Sequence, residues 1–137
     1  MAGYSKTPLV KKLGIKPNFL IMPVNAPSNY WELLGTLPEN VQVVDKKGPV
    51  EHTVDFIHLF SKSADELQNE IHSLQTSLKK EGMLWVSWPK KASKVATDLN
   101  DGVVRKIGLA TGLVDIKVCA VDDIWSGLKF VYRKADR

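Results

Sequence analysis

Three lysines follow an apolar segment that ends in Trp88 and Pro89; they are Lys90, Lys91 and Lys94. Ammonium groups clustered on one loop are suited to hold a phosphate group or the backbone of a nucleic acid. Trp88 is the residue on which a flat ligand would stack. The alternative is an ordinary solvated loop whose lysines maintain solubility. The segment therefore predicts a site for an anionic or nucleotide-like ligand.

Further polar residues follow two earlier apolar segments: Asn25 and Ser28 lie in the first turn, and Asp45 comes after the second segment. Asp45 lies about 20 residues beyond that turn, where dinucleotide-binding folds carry the acid that binds a ribose hydroxyl. The turn itself has no glycine, and Pro27 lacks an amide donor, which argues against a glycine-rich cofactor loop. Asp45 is therefore interpreted as a solvated acid, with ribose binding as the alternative.

No pair of a nucleophile and a base stands out in the sequence. His58, between apolar neighbours, is interpreted as a core histidine satisfied by one hydrogen bond rather than as a general base. Cys119 is interpreted as a small buried hydrophobe. Asp122 and Asp123 are interpreted as turn residues rather than ligands of a divalent ion. The histidines lack metal-ligand spacing, so no metal site is predicted.

The tryptophans divide by position. Trp85 lies within a predicted strand and is expected in the core, while Trp88 and Trp125 lie at loop junctions and are the candidates for exposure. Exposed tryptophans would also fit a third interpretation, in which the chain is a protein-interaction module without a small-molecule site.

Helical and strand patterns alternate along the chain. The pattern predicts six strands, at residues 19–24, 41–44, 54–60, 83–88, 113–121 and 128–133. Helices are predicted from Thr7-Pro8 to Gly14, at residues 29–34 with Ser28 as N-cap and Gly35 as stop, from a Ser63–Glu66 capping box to Gly82, and from Thr97 or Asp98 to about Gly112.

This alternation predicts an α/β protein with a three-layer, Rossmann-like architecture, in which a mostly parallel sheet ends in a C-terminal antiparallel hairpin. Ligands of such sheets lie beyond the carboxyl ends of the strands, so Asn25, Asp45 and Lys90 are expected at one edge. Because no linker or repeat interrupts the pattern, residues 1–137 are predicted to form one domain, with residues 1–17 as a basic helical segment packed on it.

The order of elements resembles a trimmed class I methyltransferase core, a Rossmann-type fold whose last two strands form a hairpin. In that family the acid corresponding to Asp45 binds the ribose of S-adenosylmethionine (SAM). The resemblance implies a divergent SAM-dependent methyltransferase whose acceptor lies near the Lys90 loop, although the glycine-free first turn departs from the family's pattern and does not support the cofactor.

A second resemblance is carried by particular segments, namely residues 2–5, 11–17, 84–98, 117–122 and 125–129. They resemble an uncharacterised bacterial family, a domain of unknown function. That resemblance implies a single domain and supplies no activity.

Composition sets the remaining expectations. The chain has 137 residues, of which 44% are hydrophobic and 25% charged, as in a soluble globular protein. Apolar runs of strand length and the lack of a signal-like segment predict a cytoplasmic protein that does not bind membranes. One cysteine allows no internal disulfide. The net charge of +4 is mild, but the lysines of residues 6–16 precede any acid.

The leading interpretation is a binding module for a phosphorylated or nucleotide-like small molecule, with non-specific nucleic acid as an alternative partner. The ligand would lie in one crevice lined by seven residues, namely Asn25, Ser28, Asp45, Trp88, Lys90, Lys91 and Lys94.

Overall fold

The computed structural model describes residues 7–45 and 51–137. Its strands are β1 Leu20–Val24, β2 Gln42–Val43, β3 Val54–Phe60, β4 Leu78–Pro89, β5 Leu113–Ala120 and β6 Trp125–Tyr132. Its α-helices are α1 Leu9–Leu13, α2 Tyr30–Leu34, α3 Ala64–Ser77 and α4 Asp101–Ala110, and short 3-10 turns occupy Lys91–Ser93 and Lys134–Asp136. The first six residues of the predicted N-terminal segment lie outside this description.

The six strands form one sheet in the order β2-β1-β3-β4-β6-β5. The strands from β2 to β4 are parallel, and β6 runs antiparallel to both of its neighbours. The chain runs outward from β1 to β2 and then crosses back past β1 to β3. The strand order therefore reverses between β1 and β3, and this is the switch point of the sheet. The predicted α/β class, mostly parallel sheet and antiparallel hairpin are confirmed.

Helices cover both faces of the sheet, which is why β3 is buried almost throughout. On one face, α3 and α4 contribute Leu67, Ile71, Leu74, Val104 and Ile107 to the larger apolar core. On the other face, α1 and α2 contribute Val10, Leu13, Tyr30 and Leu34 to the second core. The three-layer prediction is confirmed.

The helix α3 is shorter than predicted. Ser63 caps its start, since the Ser63 hydroxyl accepts a hydrogen bond from the Glu66 amide at 3.4 Å. The helix ends at Ser77, and Gly82, its predicted end, lies within β4. The β3–β4 register passes from Val54 opposite Leu78 to Phe56 opposite Met83, so β4 bulges there. A side chain on Gly82 would approach the Asp55 carbonyl oxygen to 2.9 Å, which explains the glycine.

Two N-cap predictions are wrong. The helix α2 begins after Asn29 rather than Ser28, although Gly35 closes it at φ 79° as predicted. The helix α4 is capped by Asn100, whose side chain accepts a hydrogen bond from the Val103 amide at 2.9 Å. The predicted caps Thr97 and Asp98 instead tie the preceding loop to the start of α3. Their partners are the Lys62 carbonyl, at 2.6 Å from the Thr97 hydroxyl, and the Ala64 amide, at 2.8 Å from the Asp98 carboxylate.

Two of the strands also differ in length from their predictions. The strand β2 has two residues, and β6 begins at Trp125 because a tight turn at Asp122 precedes it. The Asp122 carboxylate accepts hydrogen bonds from the amides of Ile124 and Trp125 at 2.9 and 2.7 Å, as its interpretation as a turn residue requires. Within residues 7–45 and 51–137, no helix has the length and apolar character to cross a membrane.

Candidate functional site

A cavity of about 570 Å³ opens at the switch point, beyond the carboxyl ends of β1 and β3. Its lining residues are Asn25, Pro27, Phe60, Ser61, Lys62, Glu66, Glu70 and Trp125. We call it the switch-point cavity. Its volume is in the range of small-molecule sites, and its position is the one at which open α/β sheets bind ligands.

Asn25 shapes the first turn at this cavity. Its φ of 58° lies in the left-handed region, which asparagine tolerates better than most residues other than glycine. The Asn25 side-chain amide donates hydrogen bonds to Glu70 Oε1 at 3.1 Å and to the Phe60 carbonyl at 3.5 Å. The turn therefore adopts a glycine-like conformation without a glycine, and it is tied to both β3 and α3.

The charges around the switch-point cavity favour a cation. Two carboxylates, Glu66 and Glu70, face the cavity together with one ammonium group, Lys62. The aromatic lining adds to this preference, because Trp125 and Phe60 pack edge to face with ring centroids 5.0 Å apart and aromatic rings attract cations. The cavity is therefore better suited to a ligand with a cationic group than to a phosphate.

The predicted anion site lies in a separate cavity of about 440 Å³, which we call the lysine-loop cavity. It is lined by Trp88, Pro89, Lys91, Lys94, Val95, Ala96, Thr97, Leu99 and Asn100. Among these described lining residues, none carries a carboxylate. Trp88 is only 4% exposed and packs in the larger core, so the exposure expected of it is wrong.

The lysine loop has a defined shape. The Ser93 hydroxyl donates to the Lys90 carbonyl at 2.6 Å and accepts from the Val95 amide at 3.2 Å. Lys94 has a φ of 62°, and the Lys90 amide donates to the Ile124 carbonyl at 2.7 Å. These bonds hold the loop against the turn before β6.

The two cavities are neighbours across one strand pair. Pro89 lines the lysine-loop cavity and lies opposite Trp125, which lines the switch-point cavity. The β4–β6 pair therefore separates the two cavities. Trp125 is only 8% exposed, so the exposure expected of it is also wrong. Among the four tryptophans, Trp31 is the exposed one, at 45%.

The seven predicted site residues are therefore divided among different surroundings. Asn25 lines the switch-point cavity, and Trp88, Lys91 and Lys94 line the lysine-loop cavity. Ser28 and Asp45 are exposed, and neither they nor Lys90 are among the described residues that line these two cavities. The carboxyl ends of β1, β2 and β4 share one edge of the sheet, as expected. At that edge the structure has two cavities instead of the single crevice that was expected. The role of each residue in binding stays a prediction.

A buried hydrogen-bonded chain lies beneath the switch-point cavity. His58 Nδ1 is 3.0 Å from the Tyr30 hydroxyl, and His58 Nε2 is 2.7 Å from Ser87 Oγ. Burial lowers the pKa of His58 to about 3 and raises the pKa of Tyr30 well above its ordinary value. His58 is therefore neutral, and the core interpretation is confirmed with two hydrogen bonds instead of one.

This chain supports the lining of the cavity. The His58 ring stacks on Phe60 with centroids 4.2 Å apart, and Phe60 in turn contacts Trp125. Since Tyr30, His58 and Ser87 are all buried, they position aromatic side chains rather than exchange protons with a ligand.

Sequence reasoning missed the acidic residues of the site. Glu66 and Glu70 lie four residues apart at the start of α3, directly after the carboxyl end of β3. That spacing puts both carboxylates on one helix face and was a usable signal. Within the described residues, no group of three or more His, Cys, Asp or Glu side chains is placed to hold a metal ion.

Comparisons with known proteins identify the fold. The chain is similar to the Burkholderia thailandensis 1,6-didemethyltoxoflavin-N1-methyltransferase, with a TM-score of 0.61, 11% identity, and coverage of 89% of this chain and 73% of that one. It is also similar to a SAM-dependent methyltransferase from Aquifex aeolicus, with a TM-score of 0.60, 16% identity, and coverage of 89% and 86%. A third similar structure is the precorrin-6y C5,15-methyltransferase from Geobacter metallireducens, with a TM-score of 0.61, 12% identity, and coverage of 91% and 86%.

At such low identity these similarities show the fold alone, which is the Rossmann-like fold of class I methyltransferases. By sequence, no family model and no curated protein matches the chain. Membership of the uncharacterised bacterial family therefore stays a prediction.

Proposed function

We propose that the protein is a divergent SAM-dependent methyltransferase that binds SAM in the switch-point cavity. The observation that carries this proposal is the acidic and aromatic lining of that cavity, formed by Glu66, Glu70 and Trp125. The similarity in fold to methyltransferases supports it, and so does the position of the cavity at the reversal of strand order.

The residues present fit the cationic half of SAM. SAM carries a positive sulfur and an ammonium group, and carboxylates beside an aromatic ring favour both charges over a phosphate. The left-handed turn at Asn25 supplies the backbone shape for which related folds use glycine. We assign the ribose to Asp45, which follows β2 on the side of β1 opposite to β3. This assignment rests on the family resemblance.

When bound, SAM supplies a methyl group that the acceptor's nucleophile takes while the sulfur retains the bonding electron pair. The protein's contribution is binding and orientation. Glu66 and Glu70 stabilise the cation, while Trp125 and Phe60 form an apolar wall that the His58 chain keeps in place. The lysine-loop cavity, on the far side of the Pro89–Trp125 pair, is the location we assign to the acceptor.

Calorimetric titration with SAM and with S-adenosylhomocysteine tests the proposal. The two ligands differ in that SAM alone carries a charge at sulfur. We expect both to bind the natural protein and the double variant Glu66→Gln/Glu70→Gln to bind SAM about tenfold more weakly, or about 1.4 kcal/mol. The affinity for S-adenosylhomocysteine should fall by a smaller factor, because this ligand keeps the ammonium group but lacks the charge at sulfur.

The matched control is Glu32→Gln/Glu81→Gln, which removes two exposed carboxylates outside the cavity. It should leave both affinities within about twofold. Failure of the natural protein to bind either ligand at millimolar concentration contradicts the proposal. An equal loss for both ligands in the cavity variant would remove the assigned role of the carboxylates at the sulfur.

The lysine-loop cavity favours a second function, the binding of an anionic small molecule. Lys91 and Lys94 line it, and its described lining residues include no acid. A thermal-shift screen with nucleotides and phosphorylated metabolites tests this function. A ligand present at about 100 times its dissociation constant should stabilise the fold by about 2.7 kcal/mol. The variant Lys91→Gln/Lys94→Gln should abolish the shift if the lysines hold the anion, and an unchanged shift would reject the assignment.

A further inference from the structure

Two lysines face each other across the terminal hairpin. Lys117 of β5 lies directly opposite Lys129 of β6 in the antiparallel register. Side chains in such a pair lie on the same face, and like charges placed directly opposite each other are destabilising. Lys129 is half-buried, and its pKa is lowered by burial first and then by the charges of Lys117 and Lys16. Packing within the fold gives no reason for two ammonium groups at this position.

Two further lysines approach the same pair from the N-terminal part of the chain. Lys12 of α1 donates through Nζ to the Ala120 carbonyl at 3.1 Å, at the end of β5. Lys16 follows α1 and is exposed. The charges that lower the pKa of Cys119, against the larger effect of burial, belong to Lys12 and Lys117. We call Lys12, Lys16, Lys117 and Lys129 the basic patch.

The one carboxylate of β5, that of Asp115, lies on the other face of the sheet. Asp115 pairs with Phe130, which packs in the core beneath α4, and the Asp115 carboxylate accepts from Arg105 of α4 at 2.9 Å. Lys129 pairs instead with Trp85, a residue of the second core. The basic patch therefore lies on the α1 side of the sheet, whereas the Asp115 carboxylate lies on the α4 side.

We propose that the basic patch binds the phosphate backbone of nucleic acid. Lysines are point charges that neutralise successive phosphates without reading base identity. On the face that carries the patch, the next cross-strand pair is Cys119 and Gly127, and both residues are small. The exposed Val118 pairs with Leu128 of the larger core and therefore lies on the opposite face. A membrane-binding surface would instead need large apolar side chains among the cations. This proposal does not depend on the proposed methyltransferase function, because the patch lies outside both cavities.

Fluorescence anisotropy with a labelled single-stranded RNA, measured over a series of salt concentrations, tests the proposal. The double variant Lys117→Gln/Lys129→Gln should bind about tenfold more weakly at low salt. The slope of log affinity against log salt should become shallower by about 1.4, or about 0.7 for each phosphate that the variant no longer neutralises. Thermal unfolding of the same variant should show an unchanged or raised Tm, because a repulsive pair has been removed.

A variant of equal charge change serves as the control. Lys106→Gln/Lys134→Gln removes two exposed lysines outside the patch. It should bind RNA within about threefold of the natural protein. The proposal is overturned if the natural protein fails to bind RNA at low salt, or if the control loses as much affinity as the patch variant. Binding to phosphatidylglycerol-containing vesicles without binding to RNA would also overturn it.

Discussion

Asn25 Nδ2 donates a hydrogen bond to Glu70 Oε1 at 3.1 Å, and the two residues are 45 positions apart in the chain. This bond joins the turn after β1 to the second turn of α3, directly across the switch point of the sheet. It also holds one carboxylate of the switch-point cavity in a fixed position. The conformation of the turn and the charge of the cavity are therefore coupled through one side chain.

Replacement of Asn25 separates the contribution of its hydrogen bond to Glu70 from the contribution of its left-handed backbone conformation. Asn25→Ala loses the bond to Glu70 and must still adopt a φ of 58°, so we expect it to destabilise the protein by about 1–2 kcal/mol. Asn25→Gly loses the bond without strain and should cost about 1 kcal/mol less than alanine. Urea unfolding measures both. Asn29→Ala is the control, and a cost for Asn25→Ala no larger than that of the control would contradict the strain.

A second prediction concerns the contact between α4 and the sheet. A side chain on Gly108 would overlap the Phe130 ring, which is buried in the larger core. Gly108→Ala should therefore destabilise the protein by about 2–3 kcal/mol, despite the better helix propensity of alanine. In the Gly108→Ala background, Phe130→Leu should restore part of the stability, since it shortens the opposing side chain. Purely additive effects in the double variant would show that the overlap is relieved in another way.

The strands and the Ser63 cap of α3 were predictable because their signals are local. Residues 54–60 are apolar on both faces and bounded by polar residues, and the structure has this strand with the same bounds. The Ser63 cap likewise depends on residues three apart. Such patterns need no knowledge of distant contacts.

The end of α3 was not predictable, because a distant contact determines it. Leu78 continues the helical apolar spacing, yet it pairs with Val54 and begins β4. Burial in the sheet outweighs the local periodicity at that residue. Gly82, which was predicted to end the helix, instead permits a close approach to the backbone of β3.

Both candidate cavities lie at the predicted edge of the sheet, but the acidic residues of the switch-point cavity were not predicted. The lysines of the loop are close together along the chain and can therefore be recognised in the sequence. Glu66 and Glu70 become neighbours of Asn25 only when α3 packs over the switch point. The burial of Trp88 likewise depends on residues 95–100 folding back beside it. The strand order therefore predicts the position of the switch-point cavity better than charge clusters along the chain do.

The cap of α4 gives a third prediction. Asn100→Ala removes the acceptor of the Val103 amide and should destabilise the protein by about 1 kcal/mol. Asn69→Ala, at an exposed position within α3, is the matched control and should be neutral or slightly stabilising, because alanine is the better helix former. Thermal or urea unfolding distinguishes the two. Equal effects would mean that the Asn100 side chain does not act as a cap.

The buried His58 chain gives a prediction about pH. Burial lowers the pKa of His58 to about 3, whereas in the unfolded chain it titrates near 6.5. Between these values the unfolded state binds a proton that the folded state does not, so the free energy of unfolding falls as the pH drops below about 6.5. The slope approaches about 1.4 kcal/mol per pH unit, and above about pH 7 this contribution is constant.

Urea unfolding between roughly pH 4.5 and pH 6.5 measures this effect, which should amount to about 2–3 kcal/mol over the interval. His58→Gln should be less stable at neutral pH, because the Tyr30 and Ser87 hydroxyls lose a well-placed partner, and it should lack most of this pH dependence. His72→Gln removes an exposed histidine and should retain the dependence. NMR of the His58 ring in the natural protein provides an independent measurement, and titration of that ring near pH 6.5 would show that His58 is not held neutral by burial.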